Sequence, residues 1–154
     1  MRSVTLTAHI PGQDAARVYA RLSDLASYPD HSESVRSVTV TGVTGDVTLS
    51  RWEVAFRNGI LRWSQRDVLD PDARTMTFAL SEGDAETLEG QWRIEPAEVG
   101  CRIHFACDFD LGIPSLADFL DPVAVRLLRE TVEAQLTDIF GPDLRVLRAV
   151  EPSV

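Results

Sequence analysis

The sequence predicts an α+β domain in which a curved, seven-stranded antiparallel sheet wraps around one long C-terminal helix. Three observations lead to this fold class. The predicted elements follow the order strand, two short helices, six strands, long helix. The long helix has one broad apolar face, which needs a large partner surface, and the sheet is the only candidate. One helix is too narrow to fill a trough of seven strands, so we expect an internal cavity between them.

Strand signals repeat along most of the chain. Residues 2–10 alternate between apolar and polar types, and Pro11-Gly12 ends this first strand. Turn sequences such as Gly45-Asp46 and Asp70-Pro71-Asp72 separate the later strands, which is typical of an antiparallel sheet. The later strands are predicted over residues 35–43, 47–56, 60–69, 74–80, 86–94 and 101–111.

Two short helices are predicted between the first and second strands. Apolar residues recur at helical spacing from Asp14 to Leu22, and Asp14 suits the first turn. A second short helix is predicted over Leu22–Tyr28, and Pro29 is expected to end it.

The C-terminal part predicts the long helix. Pro114-Ser115 with Asp118 resembles a capping box before a short turn. Asp121-Pro122 then places an N-cap residue before a proline at the first helical position, and Gly141-Pro142 ends the helix after about five turns. The predicted apolar face contains Val123, Leu127, Leu128, Thr131, Val132, Gln135, Leu136 and Ile139.

Length and composition predict a single domain over residues 1–154, without internal repeats or linkers. The formal net charge of -9 disfavours binding to nucleic acid or to an anionic membrane surface. All 15 basic residues are arginine, so Schiff-base lysine chemistry is excluded. No apolar run approaches the roughly 20 residues that a membrane span requires, and residues 1–5 lack the apolar core of a signal peptide. We therefore expect a cytoplasmic protein.

The sequence indicates no metal or cofactor. Cys101 and Cys107 lie in one predicted strand, about 20 Å apart, which is too far for a disulfide. With only three histidines and no CxxC spacing, they make no recognisable metal site, and we expect two buried thiols. Motifs for nucleotide, dinucleotide or serine-hydrolase chemistry are also missing from the sequence.

Three sequence segments carry a family resemblance that covers nearly the whole chain. Tyr28-Pro29 follows the second helix, residues 66–71 (RDVLDP) lie in the fourth strand, and residues 89–93 (EGQWR) lie in the sixth. With the element order, they resemble the START/birch-pollen-allergen-like (SRPBCC) superfamily, which implies a helix-grip fold. Two branches are similar: the polyketide aromatase/cyclases, and the coenzyme-Q-binding START proteins with their ribosome-associated relatives. Residues 88–92 together with residues 107–111 resemble the second branch at least as strongly as the first.

The resemblance implies two main functions, and a third, a protein-interaction module like the ribosome-associated relatives, is disfavoured by the acidic net charge. The first is an aromatase/cyclase that directs aldol cyclisation and dehydration of a poly-β-ketone tethered to an acyl carrier protein, in a bacterial aromatic polyketide pathway. The alternative is a non-catalytic carrier of a quinone, a lipid or a polyketide product. A carrier protein is acidic, so the first function needs a local basic surface, for which Arg51, Arg57 and Arg62 are candidates. Both a monomer and a homodimer are compatible with the sequence.

Arg66 is the first candidate for catalysis. It matches the cavity-facing arginine of the aromatase/cyclases, and a guanidinium can stabilise the alkoxide that develops during aldol closure. His31, after the second helix, could transfer protons near neutral pH. Thr131 lies where the family tends to have an asparagine or an acid, and Val35 where it often has a tyrosine.

Strand alternation gives a competing prediction for Arg66. Within residues 60–69, the set Leu61, Trp63, Gln65, Asp67 and Leu69 is the more apolar face, which would turn Arg66 outward unless the strand contains a bulge. The alternative role for Arg66 is a surface arginine, solvated or paired with an acid.

A substrate-binding wall is predicted from aromatic, apolar and acidic side chains. Aromatic residues suit a planar ligand, and a buried glutamate could act as a general acid. The predicted substrate-binding residues are Tyr28, Val35, Glu53, Trp63, Phe78, Trp92, Phe105 and Leu128.

Overall fold

An eight-stranded antiparallel sheet curves around a C-terminal helix in the computed structural model, which describes residues 2–56, 59–83, 87–110 and 117–147. The strands are β1 (Arg2–Ile10), β2 (Val35–Thr44), β3 (Val47–Phe56), β4 (Gly59–Asp70), β5 (Thr75–Gly83), β6 (Thr87–Pro96), β7 (Cys101–Asp110) and β8 (Arg145–Leu147). The helices are α1 (Ala15–Ser23), α2 (Tyr28–His31) and α3 (Ala117–Phe140), with a 3₁₀ turn at Leu25–Ser27. The predicted helix-grip architecture is confirmed.

The sheet has the strand order β2-β3-β4-β5-β6-β7-β1-β8. Strands β2 to β7 therefore form a meander, and β1 closes it by pairing antiparallel with β7 from Arg2↔Phe109 to Ile10↔Cys101. The predicted count of seven strands is one too low, because β8 pairs with β1 at the sheet edge. Its three residues are all exposed, so they show no alternation from which a strand could be predicted.

The region around Pro29 differs from the prediction. One helix over Leu22–Tyr28 was expected to end at this proline, but α1 ends at Ser23 and Pro29 lies in the first turn of α2. A proline is tolerated there because the first N–H groups of a helix have no intrahelical acceptor. The proline therefore starts a helix instead of ending one.

The long helix begins earlier than predicted. It was expected to start at Asp121-Pro122, but α3 already includes Ala117, so Pro122 lies inside the helix. At this position a proline removes one backbone hydrogen bond. The expected capping box at Pro114-Ser115 lies outside the described residues, as do positions 57, 58, 86 and 111 of the predicted strands and turns.

The hydrophobic core lies between α3 and the concave face of the sheet. Val132, Leu136 and Ile139 of α3 are buried, as their helical spacing predicted. The C-terminal end of α3 is tied to α1, because Arg21 donates a hydrogen bond to the carbonyl of Ile139 at 2.6 Å. Among the described helices, neither α3 nor the shorter ones carry the apolar stretch that a bilayer span requires.

Gly90 lies at a crowded point of the sheet, between Phe78 of β5 and Cys107 of β7. A Cβ atom there would overlap the carbonyl oxygen of Ala106 and would stand 2.8 Å from Cζ of Phe78. Both contacts are too short for unbonded atoms, and the first involves backbone. Only glycine fits without moving the neighbouring strand.

Replacing Gly90 with alanine should therefore destabilise the fold. We expect Gly90→Ala to lower the free energy of unfolding by about 2 to 3 kcal/mol, measured by urea denaturation. The control is Gly12→Ala, where an added Cβ meets no atom within 4 Å. Equal stabilities for the two variants would contradict the crowding at Gly90.

Candidate functional site

A cavity of about 180 Å³ lies between the sheet and α3. Its wall is predominantly aromatic and aliphatic, with side chains from α2, from β3 to β7 and from α3. The aromatic residues that line it are Tyr28, Trp52, Trp63, Phe78, Trp92, Phe105 and Phe109. An engineered apolar cavity of about 150 Å³ is known to hold benzene, so this volume fits one ring or two fused rings.

The aromatic wall is ordered by ring contacts. Trp52 and Trp63 are cross-strand partners on β3 and β4, and their indoles stack at 5.8 Å with an interplanar angle of 6°. Tyr28 meets Trp52 edge-on at 5.4 Å. On the other side, Phe105 contacts both Phe78 and Trp92, at centroid distances of 6.0 and 4.5 Å. Such pairs fix each ring in place and leave flat faces for a planar ligand.

A row of polar groups follows the two stacked indoles along β3 and β4. Nε1 of Trp52 donates to Oγ of Ser50 at 2.9 Å, and Nε1 of Trp63 donates to Oε1 of Gln65 at 2.8 Å. Nε2 of Gln65 then donates to Oδ1 of Asp67 at 2.7 Å. Ser50, Gln65 and Asp67 are all buried. The cavity therefore has a polar end, which finishes at a carboxyl group.

The direction of this hydrogen-bond chain follows from its first donor. An indole N–H can only donate, so it takes the carbonyl oxygen of the Gln65 amide and leaves the NH₂ group for Asp67. The amide therefore always presents a donor to the carboxyl group. A donor stabilises the ionised carboxylate relative to the neutral acid.

Asp67 is nevertheless harder to ionise than an exposed aspartate. Burial raises its pKa from 3.8 to about 6, and the hydrogen bond from Gln65 offsets only part of this effect. The side chain is 1% exposed. A carboxyl group with this pKa changes its protonation state near neutral pH, as a general acid or base must.

The other ionisable groups of the described wall stay neutral. Burial raises the pKa of the Tyr28 hydroxyl well above its usual value, and the nearby Asp67 raises it further. The hydroxyl donates to the carbonyl of Leu22 at 2.5 Å. Burial also raises the pKa of the Cys107 thiol to about 12, so it is not a nucleophile at neutral pH. Cys101 and Cys107 are both free and buried, which confirms the expectation of two buried thiols.

The structure corrects the predicted orientation of Arg66. Its side chain is exposed and lies on the face of the sheet opposite the cavity. A bulge in β4 could have turned it inward, but β4 pairs with β3 without interruption from Val47↔Val68 to Phe56↔Gly59. A register shift does occur near these residues, but it lies in the pairing of β4 with β5, where Ser64 pairs with Glu82 and Gln65 pairs with Leu80. The alternation of β4 is therefore preserved, and Gln65 and Asp67 point inward instead.

Three further predicted positions lie outside the cavity wall. His31, at the end of α2, is exposed to solvent. Glu53 lies on the outer face, where its Oε1 is 3.1 Å from Nε of Arg62. Val35 is buried in the hydrophobic core but is not part of the wall. Arg51 and Arg62 of the predicted basic surface are exposed on the outer face, and Arg57 lies outside the described residues.

The remaining predicted positions line the cavity, although their roles in binding and catalysis stay predictions. They are Tyr28, Trp63, Phe78, Trp92, Phe105, Leu128 and Thr131. The prediction missed Gln65 and Asp67 as site residues, and also Gln135, which lines the cavity from α3. Strand alternation contained the signal for the first two, because it placed them on the same face as Trp63.

The fold and the cavity define a helix-grip protein with a predominantly apolar cavity between its sheet and its long helix. A family model described as "polyketide cyclase / dehydrase and lipid transport" matches residues 12–136, and the chain belongs to this family. A search of curated proteins found no match.

Several solved structures share the fold. TTHA0849 from Thermus thermophilus is 28% identical, with a TM-score of 0.83 over 90% of this chain and 94% of that one. The Zhui aromatase/cyclase from Streptomyces sp. R1128 is 18% identical, with a TM-score of 0.80 over 90% and 91%. A START superfamily protein from Mycobacterium smegmatis is 17% identical, with a TM-score of 0.72 over 89% and 92%. The last two likenesses show the fold alone.

The ionisation of Asp67 should make stability depend on pH. Its pKa is higher in the folded state, so its contribution is fully present below pH 3.8 and is lost as the pH rises through about 6. Since one pKa unit corresponds to about 1.4 kcal/mol, the loss is about 3 kcal/mol at most. Asp67→Asn removes this loss. We therefore expect the stability of the variant relative to wild type to rise by up to about 3 kcal/mol between pH 4 and pH 8.

Urea denaturation at several pH values measures this difference. The control is Asp72→Asn, in the exposed turn after β4. A relative stability of Asp67→Asn that does not change with pH would show that the carboxyl group is not desolvated in the folded state.

Proposed function

We propose that the protein is a polyketide aromatase/cyclase in which Asp67 is the general acid and base. The observation that carries the proposal is the buried carboxyl group at the end of the Trp63–Gln65–Asp67 hydrogen-bond chain, inside an aromatic cavity. The substrate is a poly-β-ketone held on an acyl carrier protein. The family description and the likeness to the Zhui aromatase/cyclase support this reaction class.

The first step is carbon–carbon bond formation. The Asp67 carboxylate takes a proton from a methylene carbon between two carbonyl groups, and the resulting enolate carbon attacks a second carbonyl carbon of the same chain. The attacked oxygen becomes an alkoxide, which takes the proton back from Asp67. The aromatic wall holds the chain folded, which lowers the entropic cost of ring closure. The Thr131 hydroxyl and the Gln135 amide line the cavity from α3 and can donate to the developing alkoxide.

The second step is dehydration. Asp67 removes the remaining proton from the same methylene carbon, a carbon–carbon double bond forms, and the hydroxyl group leaves. The proton held by Asp67 passes to the leaving hydroxyl, so that one water molecule is released and the carboxylate is regenerated. A pKa of about 6 suits both directions of transfer, because neither protonation state is costly to reach at neutral pH.

The cavity volume limits how much of the substrate reacts at one time. About 180 Å³ holds one or two rings, so the rest of the poly-β-ketone lies outside the cavity. In this proposal the tethered part of the chain leaves at the apolar end, bordered by Val54 and Leu61, while the reacting part lies beside Asp67.

The second candidate function is non-catalytic transport of a quinone, a lipid or a polyketide product. The observation that favours it is the wall itself: among the described lining residues, Asp67 is the only group that ionises near neutral pH. The family description also includes lipid transport. In this case Asp67 would serve only to orient a ligand.

Asp67→Asn should abolish the proposed cyclisation. Incubated with a minimal polyketide synthase, the wild-type protein should change the product profile, as measured by liquid chromatography and mass spectrometry. The variant should slow formation of the cyclised product by about 100-fold or more, which is typical for loss of a general base. The rate with wild type should rise as the pH increases through about 6, because the carboxylate is the base in the first step.

Arg66→Ala is the matched control, since this residue is adjacent on β4 but faces solvent. Its rate should stay within about twofold of wild type, because surface substitutions are usually mild. Identical product profiles with and without the wild-type protein would rule out the enzymatic proposal. Mass spectrometry of ligands extracted from the purified protein would then test the transport function.

A further inference from the structure

The cavity combines one acidic group with an otherwise uncharged wall. The described lining residues include no arginine and no histidine, and the sequence contains no lysine. Tyr28 and Cys107 face the same space but remain protonated. The net charge of the described wall is therefore zero or negative. A carboxylate or phosphate group on a ligand would meet Asp67 without any cation to balance it.

One oxygen of Asp67 remains available to a ligand. Oδ1 accepts the hydrogen bond from Gln65, and no hydrogen bond among the described residues uses Oδ2. An ionised carboxylate can only accept hydrogen bonds. A ligand group that approaches Oδ2 at neutral pH must therefore bring a hydrogen of its own, as a hydroxyl group does and an ether or a carbonyl oxygen does not.

The polar and apolar parts of the cavity are separated along the strands. The inward residues of β4 change from Leu61 and Trp63 to Gln65 and Asp67, and their partners on β3 change from Val54 and Trp52 to Ser50 and Thr48. A ligand that fits this gradient has a flat apolar body beside the stacked indoles and one polar group at the end near Asp67. The volume limits that body to one or two rings.

We infer that the cavity selects an uncharged one- or two-ring aromatic ligand that carries a hydroxyl group, phenolic or enolic, and that this hydroxyl donates to Oδ2 of Asp67. The inference rests on the proposed function, because it concerns the same cavity. It adds the chemical class of the molecule that the cavity holds, whether this is a cyclised product or a carried ligand. We expect the cavity to reject anionic lipids and aromatic carboxylates, because their negative charge would meet Asp67 without a balancing cation.

Three matched two-ring probes test this selectivity: 2-naphthol, 2-methoxynaphthalene and 2-naphthoate. The first donates a hydrogen bond, the second has an oxygen without a donor, and the third is an anion. Isothermal titration calorimetry with the full chain at pH 7.5 gives the dissociation constants. We expect 2-naphthol to bind about 10- to 100-fold more tightly than 2-methoxynaphthalene, as for a hydrogen bond to a charged group. Binding of 2-naphthoate should be weaker than that of 2-naphthol by about 100-fold or more.

Asp67→Asn should weaken this selectivity. The asparagine removes the negative charge and adds a donor, so the gap between 2-naphthol and 2-naphthoate should shrink by at least about tenfold. Arg66→Ala, on the opposite face, should keep the wild-type gap between 2-naphthol and 2-naphthoate. Circular dichroism checks that both variants fold, and if Asp67→Asn does not, the order of the three probes on wild type decides alone.

Two results would overturn the inference: 2-naphthoate or 2-methoxynaphthalene binding wild type as tightly as 2-naphthol, or an Asp67→Asn variant that keeps the full wild-type gap between 2-naphthol and 2-naphthoate. These results are separable from failure of the proposed enzyme. The expected order without any cyclised product would reject the cyclase and keep the ligand class. Cyclisation that depends on Asp67, with equal affinities for the probes, would reject the ligand class and keep the cyclase.

Discussion

The uninterrupted pairing of β3 with β4 is the constraint on which the site depends. It places Trp52 opposite Trp63, Ser50 opposite Gln65 and Thr48 opposite Asp67, all on the concave face. Each stacked indole then donates to the polar residue two positions along its own strand. A shift of one residue would exchange the inward and outward faces of β4, replacing this row by Arg62, Ser64 and Arg66. The chemistry of the cavity is therefore set by strand register.

The same register explains why Asp67 can be kept inside the protein. Burying a carboxylate is costly, and this desolvation is the cause of the raised pKa of Asp67. The hydrogen bond from Gln65 reduces the cost without removing it, since the amide provides a single donor to one oxygen. The protein thus holds a group that lowers its stability above pH 6, and such groups are common where binding or catalysis needs them. A purely structural position would be filled at least as well by an apolar residue.

The fold could be predicted because it depends on patterns that act over many residues: the alternation of strands, the turns between them and the apolar face of the last helix. The positions of individual residues were harder to predict. Arg66 was placed in the cavity by its matching position in related proteins, while the alternation of β4 pointed the other way. The alternation was right, because β3 and β5 hold the strand on both sides. Asp67 was missed because the choice between the two faces of β4 was left open, and an aspartate alone gives no sign of its burial. Pro29 was misread because a proline can either end a helix or begin one.

The outward position of Arg66 changes the kind of catalysis that the cavity can support. A guanidinium would stabilise an alkoxide by a permanent charge, whereas Asp67 can only move a proton and must do so with the right pKa. The first arrangement would also attract anionic ligands, and the second repels them. In the proposed function, the side chain of Asp67 therefore determines both the mechanism and the choice of ligand. If the protein is a carrier and not an enzyme, the same carboxylate still favours a ligand that supplies a hydrogen-bond donor, because no hydrogen bond among the described residues uses Oδ2.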